Sequence, residues 1–162
     1  MPNFRKLFEQ SIQTKYPKGI DWDLVGILTK SSKVYTLSYD SKILSGIFEI
    51  LCEPIIKTIC DNKNWELEKG VQNQYPEFTL YSKKAPHKKI AVDIKSTYRQ
   101  RNLNGELKSF TFTLGSYRSY LQDPKGAKGI LYPYKDYIEH WIIGFVYDRN
   151  PNCKVTDIKA II

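Results

Sequence analysis

The chain has few of the residues that build disulfide, thiolate or histidine-based sites: its 162 residues include three cysteines and two histidines. An odd number of cysteines is typical of proteins in a reducing cytoplasm. Cys52 and Cys60 stand eight positions apart in a predicted helix, about 12 Å along its axis, which is too far for a disulfide. Because no CxxC or HxxxH spacing occurs, a zinc site is not expected.

Long apolar runs are also missing. No segment approaches the length that spans a bilayer, so no membrane association is expected, and the N-terminus MPNFRKLFEQ lacks the apolar stretch of a signal peptide. The hydrophobic fraction of 41% and the aromatic fraction of 14% are those of a globular protein. A chain of this length and composition is therefore predicted to fold as a single domain, residues 1–162. His87 is predicted in a loop and His140 as a structural residue beside Trp141, so no Ser/His/Asp or Cys/His constellation is expected.

Positive charge is in excess, and it is concentrated in one segment. The net charge is +8, and the segment from Ser82 to Lys135 carries twelve Lys and Arg against three acids. That segment therefore accounts for +9, and the rest of the chain for −1. A lysine run is also typical of a solvated face. Around an acidic site, however, a basic segment favours a polyphosphate partner, because phosphate contacts dominate nucleic-acid affinity.

The N-terminal third predicts two amphipathic helices joined by a hairpin. The first helix is predicted at Pro2–Tyr16 and the second at Lys42–Asp61, with Ser41 as its N-cap. Leu24–Leu28 and Val34–Leu37 predict the hairpin. The second helix is expected to bury one stripe of apolar residues: Ile43, Ile47, Leu51, Ile55 and Ile59, supported by Leu44 and Phe48.

The remainder predicts short strands. They are Glu77–Tyr81, Ile90–Lys95, Ser109–Leu114, Ile130–Tyr132 and Trp141–Tyr147. A lysine-rich connector, Ser82–Lys89, is predicted between the first two strands. Arg99–Lys108 is predicted as an exposed basic turn, with Asn104-Gly105 as its tight-turn signal.

Two carboxylates and a lysine are predicted to converge on the first two of these strands. Side chains alternate along a strand, so Asp93 and Lys95 share one face. If the two strands pair, Glu77 lies beside Asp93. Mg²⁺ prefers carboxylate oxygens and water, and a neighbouring lysine can orient the attacking water or stabilise charge on a phosphate. The sequence Pro76-Glu77…Asp93-Ile94-Lys95 fits the PD-(D/E)-x-K pattern of nucleases, which by itself is a weak signal.

Five ordered segments add to that pattern, and with them the chain resembles the EcoRV family of type II restriction endonucleases along nearly its whole length. The segments are Ser41–Glu49, Gln72–Tyr81, Lys88–Tyr98, Phe112–Tyr117 and Tyr137–Tyr147. The resemblance implies an α/β fold of the restriction-endonuclease-like type, with a mixed central β-sheet flanked by helices. It implies Mg²⁺-dependent cleavage of double-stranded DNA at a specific site, leaving 5′-phosphate ends. It further implies a cytoplasmic prokaryotic enzyme that forms a homodimer through residues 1–38, with the catalytic core in 39–147.

The resemblance also implies roles for particular residues. Glu77 and Asp93 would bind metal, Lys95 would assist the attacking water, and Glu49 would act as a further catalytic and metal-binding group. Without the resemblance, the helical position of Glu49 favours a solvated glutamate on the polar side of the second helix. The residues expected to contact DNA are Ser41, Lys42, Gln72, Asn73, Ser96, Thr97, Tyr98, Arg118, Ser119 and Lys128.

Three features depart from the family pattern. Glu77 stands where the family has aspartate, Val71 stands where it has glutamine, and the family continues well beyond the position that matches Ile162. That further part carries the major-groove recognition loop, so a fragment or shortened relative is expected. Two alternatives therefore stay open: a structure-specific repair or junction nuclease of the same PD-(D/E)-x-K type, and a truncated DNA-binding remnant that does not cleave.

Overall fold

Two helices and a hairpin form the N-terminal part of the chain. The computed structural model describes residues 3–24, 26–35, 41–71, 73–113, 121–123, 129–149 and 155–161; of Ser41 and 155–161 it describes the backbone alone. Helix α1 is Phe4–Lys15, capped by the side chain of Asn3, and helix α2 is Ser41–Lys63. Between them, β1 (Ile27–Leu28) and β2 (Val34–Tyr35) pair antiparallel. These elements confirm the predicted helix–hairpin–helix order; Val25, Thr36 and Leu37 of the predicted hairpin lie outside the described residues.

A five-stranded mixed sheet follows the second helix. Its strands are β3 (Trp65–Lys69), β4 (Phe78–Ser82), β5 (Ala85–Tyr98), β6 (Tyr137–Arg149) and β7 (Val155–Ile161), adjacent in that order. All neighbours are antiparallel except β5 and β6, which run parallel. A 3₁₀ turn, Tyr134–Asp136, leads into β6. The predicted α/β class with a mixed sheet is confirmed.

The main core lies between the helices and one face of the sheet. Phe4 and Phe8 of α1 pack with the buried side of α2 and with alternate residues of the strands. Phe48 of α2 and Phe145 of β6 are both fully buried, and their rings stack 4.1 Å apart. On β5, Ile90, Val92 and Ile94 join this core, as their predicted alternation requires. A smaller cluster of Tyr75, Ala91 and Tyr137 covers the opposite face.

The buried stripe of α2 is rotated from the predicted one. Ile43 is 44% exposed, whereas Cys52 and Cys60 are buried and free. Positions four apart advance 400° around a helix, so a stripe with that spacing drifts 40° at every step. The buried face instead mixes three- and four-residue spacings, as expected of a helix packed on a flat sheet. None of the described helices is long and apolar enough to cross a membrane.

Three strand predictions are wrong in part. Most of the connector Ser82–Lys89, including His87, belongs to β5, because β4 and β5 form a tight hairpin that continues outward to Ala85. Ser109–Leu114 was predicted as a strand, but its described residues pair with no strand that the structure describes. Ile130–Tyr132 is reduced to one bridge between Ile130 and Tyr75. Strands β3 and β7 were not predicted.

Candidate active site

Glu77, Asp93 and Lys95 meet at the junction of β4 and β5. Glu77 directly precedes β4, whose first residue, Phe78, pairs with Val92. This register brings Glu77 opposite Asp93, and its Oε2 accepts a hydrogen bond from the backbone N–H of Ile94 at 3.2 Å. The Lys95 ammonium lies 2.5 Å from Asp93 Oδ2 and 3.6 Å from Glu77 Oε1. One lysine thus bridges two carboxylates, which is the geometry that the paired strands predicted.

The two carboxylates are largely shielded from water. The Asp93 side chain is 3% exposed and that of Glu77 is 21% exposed. Burial, and after it a hydrogen bond to Asp93 and that residue's negative charge, raise the pKa of Glu77, while Lys95 lowers it. Two close carboxylates with one lysine cannot both keep a full charge easily, so the pair tends to hold a proton when no further cation is present.

Asp93 carries the observation that best fits a bound cation. Its Oδ1 is buried and receives no hydrogen bond from the described part of the protein. Buried side-chain oxygens nearly always have a partner. A buried carboxylate oxygen of this kind, next to a second carboxylate, is the ligand chemistry that Mg²⁺ takes. The donor set therefore fits a hard divalent cation, and the roles of Asp93 and Glu77 as its ligands stay a prediction.

Glu49 lies within electrostatic reach of this pair. Burial raises the pKa of the Glu49 carboxyl, Lys69 and Lys95 lower it, and Asp93 raises it. Lys69 itself pairs with Glu53 at 2.5 Å. In the described residues, no three His, Cys, Asp or Glu side chains gather closely enough to hold a metal together. Glu49 is thus a neighbour of the site rather than part of a three-carboxylate cluster, and its role as a metal ligand stays a prediction.

The residues predicted to contact DNA are distributed unevenly around this centre. Thr97 shares the face of Asp93 and Lys95 by strand alternation. Ser96 points the other way, where its hydroxyl lies 3.0 Å from that of Ser45 on α2.

Tyr98 also lies on the core side, with the guanidinium of Arg149 3.5 Å from its ring centroid. Lys42 and Asn73 are exposed, and Ser41 is described by its backbone alone. Gln72, Arg118, Ser119 and Lys128 lie outside the described residues.

Gly144 is a site residue that the sequence reasoning did not single out. It pairs with Lys95 across the parallel ladder, and a Cβ there would lie 2.5 Å from the ring of Phe112. Phe112 can therefore rest on the sheet next to Lys95 only because this position lacks a side chain. A glycine inside an otherwise apolar strand is the signal that could have indicated such a close approach.

Gly144→Ala is expected to displace Phe112 and to lower the free energy of unfolding by about 1–3 kcal/mol, the usual cost of overpacking. The matched control is Gly46→Ala, because a Cβ at Gly46 of α2 would meet nothing within 4 Å. That control should stabilise the protein by about 0.5–1 kcal/mol, since alanine favours helix over glycine. Denaturant unfolding measures both, and equal changes in the two variants would contradict the contact.

A mixed sheet with two carboxylates and a lysine where the start of β4 lies beside β5 is typical of the restriction-endonuclease-like class of α/β proteins. Comparison with known proteins makes the assignment specific. The chain belongs to the EcoRV restriction endonuclease family, whose family model, described as restriction endonuclease EcoRV, matches residues 18–161.

One relative is the type II restriction enzyme EcoRV of Escherichia coli. The chain is 43% identical to it over 139 residues. The match covers 85% of this chain and 54% of the enzyme, so the chain spans about half the length of that relative.

Proposed function

We propose that this chain carries the catalytic centre of a Mg²⁺-dependent type II restriction endonuclease. Its substrate would be double-stranded DNA, cut at a specific site to leave 5′-phosphate ends. The observation that carries the proposal is the Lys95 ammonium held between the Asp93 and Glu77 carboxylates, with Asp93 Oδ1 buried and without a hydrogen-bond donor in the described residues. Family membership supports the same chemistry. Such an enzyme would act in the cytoplasm of a prokaryotic cell.

The residues of the site would have different roles in cleavage. Asp93 and Glu77 would hold Mg²⁺, which when bound polarises the phosphoryl oxygen and lowers the pKa of bound water. Lys95 would orient the attacking water and stabilise the charge that develops on the phosphate. Glu49 would support the site from α2 as a second metal-binding or water-positioning group. Because Glu77 is one methylene longer than aspartate, the position of its loop matters for activity.

DNA binding would come from the basic segment and from the surfaces next to the centre. In the described residues, Lys42, Asn73 and Thr97 are the candidates with side chains that are not committed to the core. Ser41, Ser96, Tyr98, Gln72, Arg118, Ser119 and Lys128 remain part of the proposal on the strength of the family resemblance. The twelve Lys and Arg side chains of the segment Ser82–Lys135 favour a long polyanion over a small phosphate ligand.

A homodimer is part of the proposal, with residues 1–38 as the dimer-forming part and 39–147 as the catalytic core. All four residues of strands β1 and β2 are apolar or aromatic and strongly exposed: Ile27 54%, Leu28 68%, Val34 59% and Tyr35 61%. A two-stranded ribbon with such a surface is marginal alone and is covered when it packs on a partner. A second copy of the chain is the partner proposed.

Leu28→Asp is expected to weaken dimerisation at least about tenfold, because a charge would be buried without a partner. Leu103→Asp is the control, since Leu103 is fully exposed in the basic turn. Light scattering after size-exclusion chromatography measures the mass across a dilution series. A wild-type chain that stays monomeric at every concentration would overturn the dimer.

The nuclease proposal is tested by incubating the purified chain with plasmid DNA and Mg²⁺. Discrete fragments are expected from the wild type and from Lys57→Ala, an exposed lysine on α2 that pairs with Asp61. Asp93→Ala should remove cleavage, because it takes away the buried ligand. Selective cutting of branched DNA would favour a junction nuclease. Salt-dependent binding without any product would favour a DNA-binding remnant.

A further inference from the structure

The loop that carries Glu77 is anchored through Tyr75, two residues earlier. The Tyr75 N–H donates to the carbonyl of Gly129 at 2.6 Å, and the Leu131 N–H donates to the carbonyl of Tyr75 at 2.9 Å. The side chain is 94% buried, and its hydroxyl lies 3.1 Å from Nδ1 of His140 on β6. Tyr75 therefore joins the loop before β4 to two other parts of the chain.

His140 is itself held in a fixed orientation beside the catalytic face. It pairs with Ala91 on β5, so its side chain lies on the face of the sheet that also carries Asp93. The ring of Tyr134 stacks on the imidazole, with centroids 5.1 Å apart and planes 18° apart. Burial lowers the pKa of His140, while Asp93 raises it. A neutral imidazole in this place can share one proton with the Tyr75 hydroxyl.

The position of Glu77 depends on what holds its loop. At the backbone, the Gly70 N–H donates to the Glu77 carbonyl at 2.9 Å. At the side chain, the Ile94 N–H donates to Glu77 Oε2. The hydrogen bond between Tyr75 and His140 restrains the same loop on the face of the sheet that carries Asp93. A shift of the loop would move the Glu77 carboxylate away from both Ile94 and Asp93.

We propose that Tyr75 and His140 are positioning residues for Glu77. Their hydrogen bond fixes the Tyr75-Pro76-Glu77 segment so that the Glu77 carboxylate stands beside Asp93 at the distance a shared cation needs. The functional meaning of this role rests on the proposed function, since it assumes that Glu77 and Asp93 bind a divalent cation. Partners that orient a metal ligand typically change metal affinity by 10–100-fold when they are removed.

The test compares Tyr75→Phe with Tyr137→Phe. Both variants lose one hydroxyl from the same aromatic cluster, but the Tyr137 hydroxyl bonds to Thr79 Oγ1 within β4, at 2.9 Å, whereas the Tyr75 hydroxyl bonds to His140. Two readouts are used: the nuclear magnetic resonance shift and exchange rate of the Ile94 amide, and the affinity for Mn²⁺ measured by calorimetry. Glu77→Ala serves as the reference, because it shows the Ile94 amide signal when the Glu77 carboxylate is absent.

Tyr75→Phe is expected to move the Ile94 amide towards its position in Glu77→Ala and to weaken Mn²⁺ binding about tenfold. Tyr137→Phe should leave both readouts unchanged even if it lowers the melting temperature equally. His140→Leu should reproduce the effect of Tyr75→Phe, and His140→Asn should recover part of it. An Ile94 amide that is the same in Tyr75→Phe and the wild type would overturn the inference.

The same experiment separates this inference from the proposed function. If the wild type binds no Mn²⁺, or if Asp93→Ala binds it equally well, the metal site proposed above is wrong. The Ile94 amide still decides whether Tyr75 and His140 position Glu77, because that readout needs no metal. If Mn²⁺ binds at Asp93 and the Ile94 amide of Tyr75→Phe matches that of the wild type, the proposed function stands and the positioning role is wrong.

Discussion

Lys95→Met is expected to reduce DNA cleavage by about a hundredfold or more and at the same time to strengthen Mg²⁺ binding. Removing one group that stabilises the charge developing in the transition state commonly lowers the rate by about 10²–10³-fold. The same change removes the positive charge 2.5 Å from Asp93 and 3.6 Å from Glu77. Two carboxylates without that charge should attract a divalent cation more strongly. Opposite effects on rate and on affinity are the signature of a group that acts on the substrate instead of holding the metal.

The stability of the Lys95→Met protein should also depend on the metal. Without Mg²⁺ we expect a loss of about 3–5 kcal/mol in the free energy of unfolding, because a largely buried ion pair loses one partner. Saturating Mg²⁺ should restore most of the lost free energy of unfolding. Lys83→Met is the control, since Lys83 pairs with Glu66 at the surface, where such pairs contribute about 0–1 kcal/mol. Weaker metal binding in Lys95→Met, or normal cleavage, would show that Lys95 has another role.

The metal-free protein is expected to lose stability as the pH rises above about 4.5, the ordinary pKa of glutamate. The pKa of Glu77 in the folded state lies above that value, so the folded state keeps a proton that the unfolded chain releases. The resulting stability is fully present below the unfolded pKa and is lost as the pH rises through the folded pKa. For one proton the slope is about 1.4 kcal/mol per pH unit at most. Urea unfolding across the pH range in a chelating buffer measures it.

Glu77→Gln isolates this contribution, because glutamine does not titrate. The difference in unfolding free energy between the variant and the wild type should change with pH, whereas Glu66→Gln, at an exposed strand position, should give no comparable trend. Mg²⁺ affinity should rise over the same range, by up to about tenfold per pH unit, because a cation must displace the proton. Parallel pH curves for Glu77→Gln and the wild type would place the titrating proton elsewhere.

Much of the candidate site could be predicted from local pattern. A period of two along Ile90–Lys95 puts Asp93 and Lys95 on one face, and this holds for any strand whatever surrounds it. The pairing of that strand with the Glu77 segment followed from their closeness in sequence, since neighbouring strands usually form hairpins. The helices were likewise predicted from their apolar periodicity.

The errors arose where the partner of a segment lies far away in sequence. The segment Ser109–Phe112 alternates like a strand, but the ring of Phe112 packs onto Gly144, and its backbone pairs with no strand that the structure describes. Lys88 and Lys89 were predicted in a loop because lysine is polar. Lys89 is nevertheless buried in β5, where its ammonium lies 4.2 Å from the ring centroid of Tyr132 and donates to the Pro86 carbonyl.

The sequence by itself determined which chemical groups this protein has and which of them share a strand face, because strand geometry depends only on the local backbone. It also indicated the family, because ordered segments keep their residues and spacing. Only the tertiary structure decided that β5 and β6 run parallel and that His140 and Tyr75 meet beside Glu77. The β5–β6 partners are about 49 positions apart and Tyr75 and His140 are 65 apart, so the free energy that selects these contacts comes from packing the whole sheet, which no local pattern encodes.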